Sequence, residues 1–120
     1  MSTEGQRTSA AMASLAACLR EVRHDLAVLA DRADHVGDAV ADGRPLLTVV
    51  AGEPRPLIIT RMTELLEQLA ASAAEVRRAE AHQLRAEGLS HERIAALFGV
   101  TRQRVAALLA PPPGGRGSAR

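Results

Sequence analysis

The sequence predicts an all-α protein: a long N-terminal heptad helix and helical bundle, followed by a C-terminal three-helix helix-turn-helix unit. Three features predict it. Aromatic residues are 1% of the chain, Phe98 alone, whereas sandwiches and barrels normally draw on Tyr, Phe and Trp. Alanine, leucine, arginine and glutamate, all good helix formers, are abundant. Apolar residues recur at intervals of three and four along most of the length, the signature of one helical face. At 120 residues and 47% apolar, the chain has the material for one domain or two very small ones.

Met1 to Ser9 is polar and shows no cap, so residues 1–9 are expected to be a disordered N-terminus. From Ala10 to Ala41, Met12, Leu15, Leu19, Val22, Leu26, Leu29, Ala33, Val36 and Val40 are spaced 3, 4, 3, 4, 3, 4, 3 and 4. A 3.5-residue period makes a narrow apolar seam on one side of a helix, here about 48 Å long at ~1.5 Å per residue. A lone helix cannot hide such a seam. Its partner is either the same helix in a second copy or a later helix of the same chain. Residues 10–70 are thus expected to form a helical dimerisation region, with Met12, Leu15, Leu19, Val22, Leu26 and Leu29 at the dimer contact. Asp42-Gly43 is a natural stop, with Gly43 at the left-handed cap position.

Residues 44–60 read in two ways. Pro45 can open a short helix over Leu46–Ala51, or Leu46–Val50 and Leu57–Thr60 can pair as a small hairpin across Gly52-Glu53-Pro54. The β-branched residues favour the hairpin; Pro56 and the helical context favour the helix. From Pro56 or Thr60 to Glu87 the pattern is helical again, with Met62, Leu66, Leu69, Ala73 and Val76 as its stripe. This helix either bends around Ala71–Ala74 or runs straight. Its C-terminal half is expected to be the first helix of the helix-turn-helix unit, over residues 71–110. Residues 111–120, rich in Pro and Gly, are expected to be a disordered tail, an inert terminus more readily than one whose Arg116 and Arg120 touch phosphates.

Within 88–110 the residue types fall where a helix-turn-helix needs them. Gly88 ends the preceding helix, and Ser90 caps the next through its hydroxyl. Ile94, Ala95 and Phe98 share that helix's apolar face. Gly99 supplies the φ > 0 turn, and Thr101 caps the second helix, whose inward residues are Val105, Leu108 and Leu109. Ala95 sits where the two helices cross closely, with Val100 and Val105 filling the space between them. Arg102, Gln103 and Arg104 occupy the first turn of the last helix, where a reader of this kind meets base edges in the major groove. The competing reading, an ordinary helical hairpin, would mix Glu with Arg on that surface, and the last helix has no acid at all.

Val100-Thr101-Arg102-Gln103-Arg104-Val105 resembles the recognition helix of the promoter-reading domain of primary bacterial sigma factors, and that of many small actinobacterial helix-turn-helix regulators. The resemblance covers residues 76 to 109. It implies that Arg102 and Gln103 reach bases and that Arg104 holds the backbone. On the residues themselves, Arg102 suits a guanine through O6 and N7 and Gln103 a neighbouring adenine, while Ala106 and Ala107 suit thymine methyls. Ser90, His91, Arg93, Thr101 and Arg104 are the backbone candidates, with Arg77, Arg78 and Arg85 extending the basic surface.

Net charge is +1, but its distribution is uneven: from Ala71 onward there are eight Arg against four acids, and before it seven Arg against ten acids. The basic half holds the reader, as a DNA-binding footprint requires. One cysteine, Cys18, excludes an internal disulfide, and there is no CxxC for zinc. No two of His24, His35, His82 and His91 have the spacing that places ligands on one helical face. No nucleophile–base set or phosphate loop is present, so neither catalysis nor a cofactor is expected. No leader or membrane-spanning run is evident. The expected partners are double-stranded DNA and a second copy of the chain, on the cytoplasmic nucleoid. The alternatives are a protein-interaction module, such as an adaptor on RNA polymerase or an antitoxin-like partner, and a non-specific nucleoid-packaging protein.

Overall fold

The computed structural model of the chain describes residues 2–111. Five α-helices follow in order: α1 (Thr3–Ala41), α2 (Leu46–Ala51), α3 (Ile58–Ala86), α4 (His91–Phe98) and α5 (Arg102–Leu109). There is no strand among the described residues, so the fold is all-α. Apart from Pro111, the tail expected over 111–120, with Arg116 and Arg120, lies outside the described residues. The chain divides into two compact units. One is Ser14–Ser72; the other joins the chain up to Ala13 with the chain from Ala73 onward.

The expected disordered N-terminus is corrected: α1 begins at Thr3. Ser2 is the cap that the sequence reading lacked, its hydroxyl accepting from Gly5 N at 3.0 Å. Glu4 lies in the first turn, where a negative charge complements the helix dipole. Thr8 Oγ1 donates to Glu4 O at 3.0 Å and lies 3.3 Å from Ala79 O, which ties this segment to α3. At its other end α1 stops as expected. Gly43 takes φ 86°, and Gly43 N and Arg44 N donate back to Val40 O and Ala39 O.

In Ser14–Ser72 the buried centre is Val22, Leu29 and Leu65, with Cys18, Ile58 and Leu69 packed against it. Asp25 pairs with Arg61, and Arg32 reaches Glu53 and the carbonyls of Pro54 and Pro56. Later positions on α1 thus meet earlier positions on the following chain, so α1 and α3 are antiparallel here. The inward face of α1 keeps a 3–4 rhythm, but it is Leu15, Cys18, Val22, Asp25, Leu29, Arg32, Val36 and Ala39.

The expected dimer seam is therefore corrected. Val22 and Leu29 are buried inside the chain, and Leu15 is half-buried, so only part of the predicted row remains open. Met12, Leu19 and Leu26 are 44%, 50% and 46% exposed. On the inward side Asp25 meets Arg61 of α3, and Arg32 meets Glu53 and the carbonyls of Pro54 and Pro56 in the connection before it, while the leucine row faces outward. On α3 the same shift buries Leu65 and leaves Ile59, Met62 and Leu66 exposed. On each helix the open row follows the buried row in the same rotational sense. Because the helices are antiparallel, both open rows turn to one side of the pair.

The 44–60 segment takes the helical alternative, Leu46–Ala51. Glu53 closes the corner behind it, accepting from Ile58 N at 3.2 Å and from Arg32 at 3.3 Å. A hairpin would need that stretch for strand pairing. Beside α2, an open cavity of about 480 Å³ is lined by Val36, Ala39, Val49, His35 and Arg44 among others. α3 runs without a break through Ala71–Ala74.

In the other unit the core is Ile94, Ala95 and Val105, with Leu84, Leu89, Phe98 and Leu109 against it. Ala81 and Leu108 are buried as well.

Candidate nucleic-acid interface

The α4–turn–α5 segment is built by two hydroxyl caps and one glycine. Ser90 Oγ accepts from Arg93 N at 3.2 Å, and Thr101 Oγ1 from Arg104 N at 3.0 Å. Each satisfies one of the amide donors that a helix start leaves unpaired. Between the helices Gly99 takes φ 69°, ψ 35°, a left-handed conformation that a Cβ disfavours. From there Val100 N returns to Ala95 O at 3.0 Å. Ala95 is small enough for α5 to lie close, and Val105, fully buried, fills the gap. Val100, expected beside it, is instead 38% exposed: its amide goes inward to cap α4, and its side chain points outward.

Burial of Val105 and Leu108 fixes the rotation of α5. Arg102, Gln103, Ala106 and Ala107 are all exposed; at about 100° per residue Gln103, Ala106 and Ala107 lie opposite the buried pair, and Arg102 lies about 100° to one side of Gln103. Arg104 is exposed too and lies about 100° from Gln103 on the opposite side from Arg102, so the two arginines flank the Gln103 face. The predicted base-contact residues Gln103, Ala106 and Ala107 are thus brought together, with Arg102 at one edge and Arg104, the predicted backbone residue, at the other. Among the other backbone candidates, Thr101 and Arg93 are exposed, and Ser90 and His91 are half-buried.

Ser90 and His91 join Arg85, Gly88, Glu92 and Arg102 around a shallow depression. Arg85 donates to Leu89 O at 3.2 Å there. Arg77, expected to extend the basic surface, also makes contacts within the protein. Its guanidinium lies 4.1 Å from the centroid of the Phe98 ring, and its Nε is 3.7 Å from Glu80. It supports the packing of α3 on α4 through a cation–π contact.

One residue of the site escaped sequence reasoning. Glu92, in the first turn of α4, places Oε1 3.1 Å from Arg102 Nη1, with both side chains well exposed. The sequence signal is faint: an acid in a first turn reads as a helix-dipole partner.

Among the described residues no group of three or more His, Cys, Asp or Glu is placed to hold a metal, and no helix is long and apolar enough to cross a membrane. No protein-family model matches the chain, and neither does any curated protein or solved structure compared with it.

Proposed function

We propose that the chain is a sequence-specific DNA-binding transcriptional regulator of the helix-turn-helix kind, acting as a homodimer on the nucleoid. The observation that carries this reading is the face of α5. Two long cationic side chains, one amide and two methyl groups stand exposed on a short helix whose apolar residues are pinned inward. Arg102 matches the O6 and N7 acceptors of guanine, Gln103 the N7 and N6 of adenine, and Ala106 and Ala107 the methyl of thymine. Arg104 on the flank, with Thr101, Ser90, His91 and Arg93, meets the phosphates. The resemblance of Val100–Val105 to the sigma-type recognition helix supports the same assignment.

A single reader of this size covers a few base pairs. The open rows Leu19 and Leu26 on α1, and Ile59, Met62 and Leu66 on α3, give a second copy an apolar face to meet, and two-fold pairing sets two readers on successive half-sites about 34 Å apart. The test is selection of bound duplexes from random DNA by the purified chain. Enrichment of a two-fold symmetric site supports the reading; recovery of unselected DNA with a steep salt dependence favours non-specific packaging.

The same apolar face favours a second reading, a protein-interaction module docked on RNA polymerase or on an antitoxin-type partner. Sedimentation separates the two. A stable dimer supports the regulator; a monomer that aggregates until another protein is supplied supports the adaptor.

A further inference from the structure

We infer that Glu92 is a positioning residue for base reading: it holds Arg102 by Nη1 and so leaves the Nε–Nη2 edge of the guanidinium free for a guanine. This rests on the DNA-reading proposal and extends it to a residue outside α5. Arginine is long and rotamer-rich, and an unrestrained one at a helix start samples phosphates as readily as bases. Here it is tethered. Glu92 Oε1 lies 3.1 Å from Arg102 Nη1, and the backbone of Glu92 is held in the α4 first turn that Ser90 caps. Of the guanidinium's five N–H donors, the Nε and Nη2 hydrogens form one edge, directed away from Nη1. That edge has the fork geometry that O6 and N7 of guanine accept.

The charge balance supports a role other than stability. The two side chains are 70% and 64% exposed, and exposed ion pairs contribute little to folding. An acid at the rim of a DNA-binding face repels phosphates and weakens non-specific binding. The other acids near this part of the chain have different partners: Glu80 pairs with Arg77, and Glu87 accepts from Gln83. Glu92 alone of these meets the proposed reader. Its effect is to lower affinity for any duplex while orienting Arg102 for one base, which is how a repulsive element yields specificity.

The experiment compares the full chain with Glu92→Ala and Glu92→Gln on the selected duplex and on duplexes altered at each base pair, over a range of salt. For Glu92→Ala we expect discrimination to fall about two- to fivefold, the scale of an exposed charge pair. The loss should fall at the one base pair that Arg102→Ala identifies. Affinity for unrelated DNA should hold or rise, and the salt dependence should steepen by about one counterion as Arg102 turns to a phosphate. Glu92→Gln, which keeps the reach but loses the charge, should fall between. Unchanged discrimination overturns the inference. So does a loss at a different base pair, the mark of Glu92 accepting directly from a cytosine amine, and so does a uniform loss with a lowered melting temperature. These three outcomes leave the DNA-reading proposal standing. A wild-type chain that selects no sequence overturns both.

Discussion

Asp25 Oδ2 accepts a hydrogen bond from Arg61 Nη2 at 2.9 Å, and this pair sits in the seam where a leucine row was expected. Both side chains are about one-third exposed, 34% and 33%, so the pair adds little net stability. Its importance is geometric. With Asp25 and Arg32 facing the following chain, Leu19 and Leu26 turn away from the Val22–Leu29–Leu65 centre.

That rotation separates the residues that hold the fold from those available to a partner. Leu65→Ala, at a position 1% exposed, should cost about 2–5 kcal/mol of unfolding free energy, read from urea titration. Leu26→Glu with Leu66→Glu should leave the far-ultraviolet helix signal intact and shift sedimentation from dimer to monomer. If that pair of charges leaves a dimer in place, the second copy docks elsewhere.

The fold class was legible because helical period and aromatic poverty are one-dimensional signals. The α4–α5 segment was legible for a similar reason: caps at Ser90 and Thr101, a turn at Gly99 and inward Val105 are local chemistry at fixed offsets. The seam was not. On α1 alone the apolar choice is 15-22-29-36 with 19-26-33, whereas the row that folds inward, 18-25-32, carries Cys18, Asp25 and Arg32. The choice depends on Arg61 and Glu53, which lie far along the chain. Glu92 was missed in the same way, since its partner Arg102 comes close only once α4 and α5 fold together. The start of α1 was missed because Ser2 is a cap only if the polar residues after it are helical, and Thr8 finds Ala79 only in the folded chain.

The two caps and the turn should be separable by stability. Thr101→Ala removes the acceptor for Arg104 N and should cost about 1 kcal/mol, with Thr101→Ser restoring most of it. Gly99→Ala meets no neighbouring atom within 4 Å, so any loss comes from the backbone conformation alone, about 1–2 kcal/mol. Urea unfolding of each variant gives these differences. Equal stability of Gly99→Ala and wild type would mean that the turn is not left-handed in solution.

The N-terminal helix makes a prediction about the segment up to Ala13. Thr8→Val keeps the shape and removes the hydroxyl facing Glu4 O and Ala79 O. A hydrogen bond of this kind contributes about 0.5–1.5 kcal/mol net. Hydrogen exchange of amides between Gln6 and Ala13 should quicken in the variant, while amides around Leu65 keep their rates. Free exchange across Gln6–Ala13 in the wild-type chain would return this segment to the disordered state that its polarity suggests.

The face of α5 divides into two kinds of contact, and substitution should separate them. Arg102→Ala removes a fork-shaped donor from a base edge. It should cost about 1–3 kcal/mol on the selected duplex, much less on unrelated DNA, and relax the preference at one base pair. Arg104 lies on the flank opposite Arg102, without the Glu92 contact, and is assigned to a phosphate, so Arg104→Ala should weaken every sequence alike and flatten the salt dependence by about one counterion. Fluorescence anisotropy at several salt concentrations, on the selected and on scrambled duplexes, measures both. The contrast matters more than either number, because two exposed arginines on one turn of helix have similar charge and reach and differ here only in direction. If both substitutions weaken all duplexes equally, α5 lies along the phosphates rather than in the groove, and the assignment of Arg102 to a base is wrong.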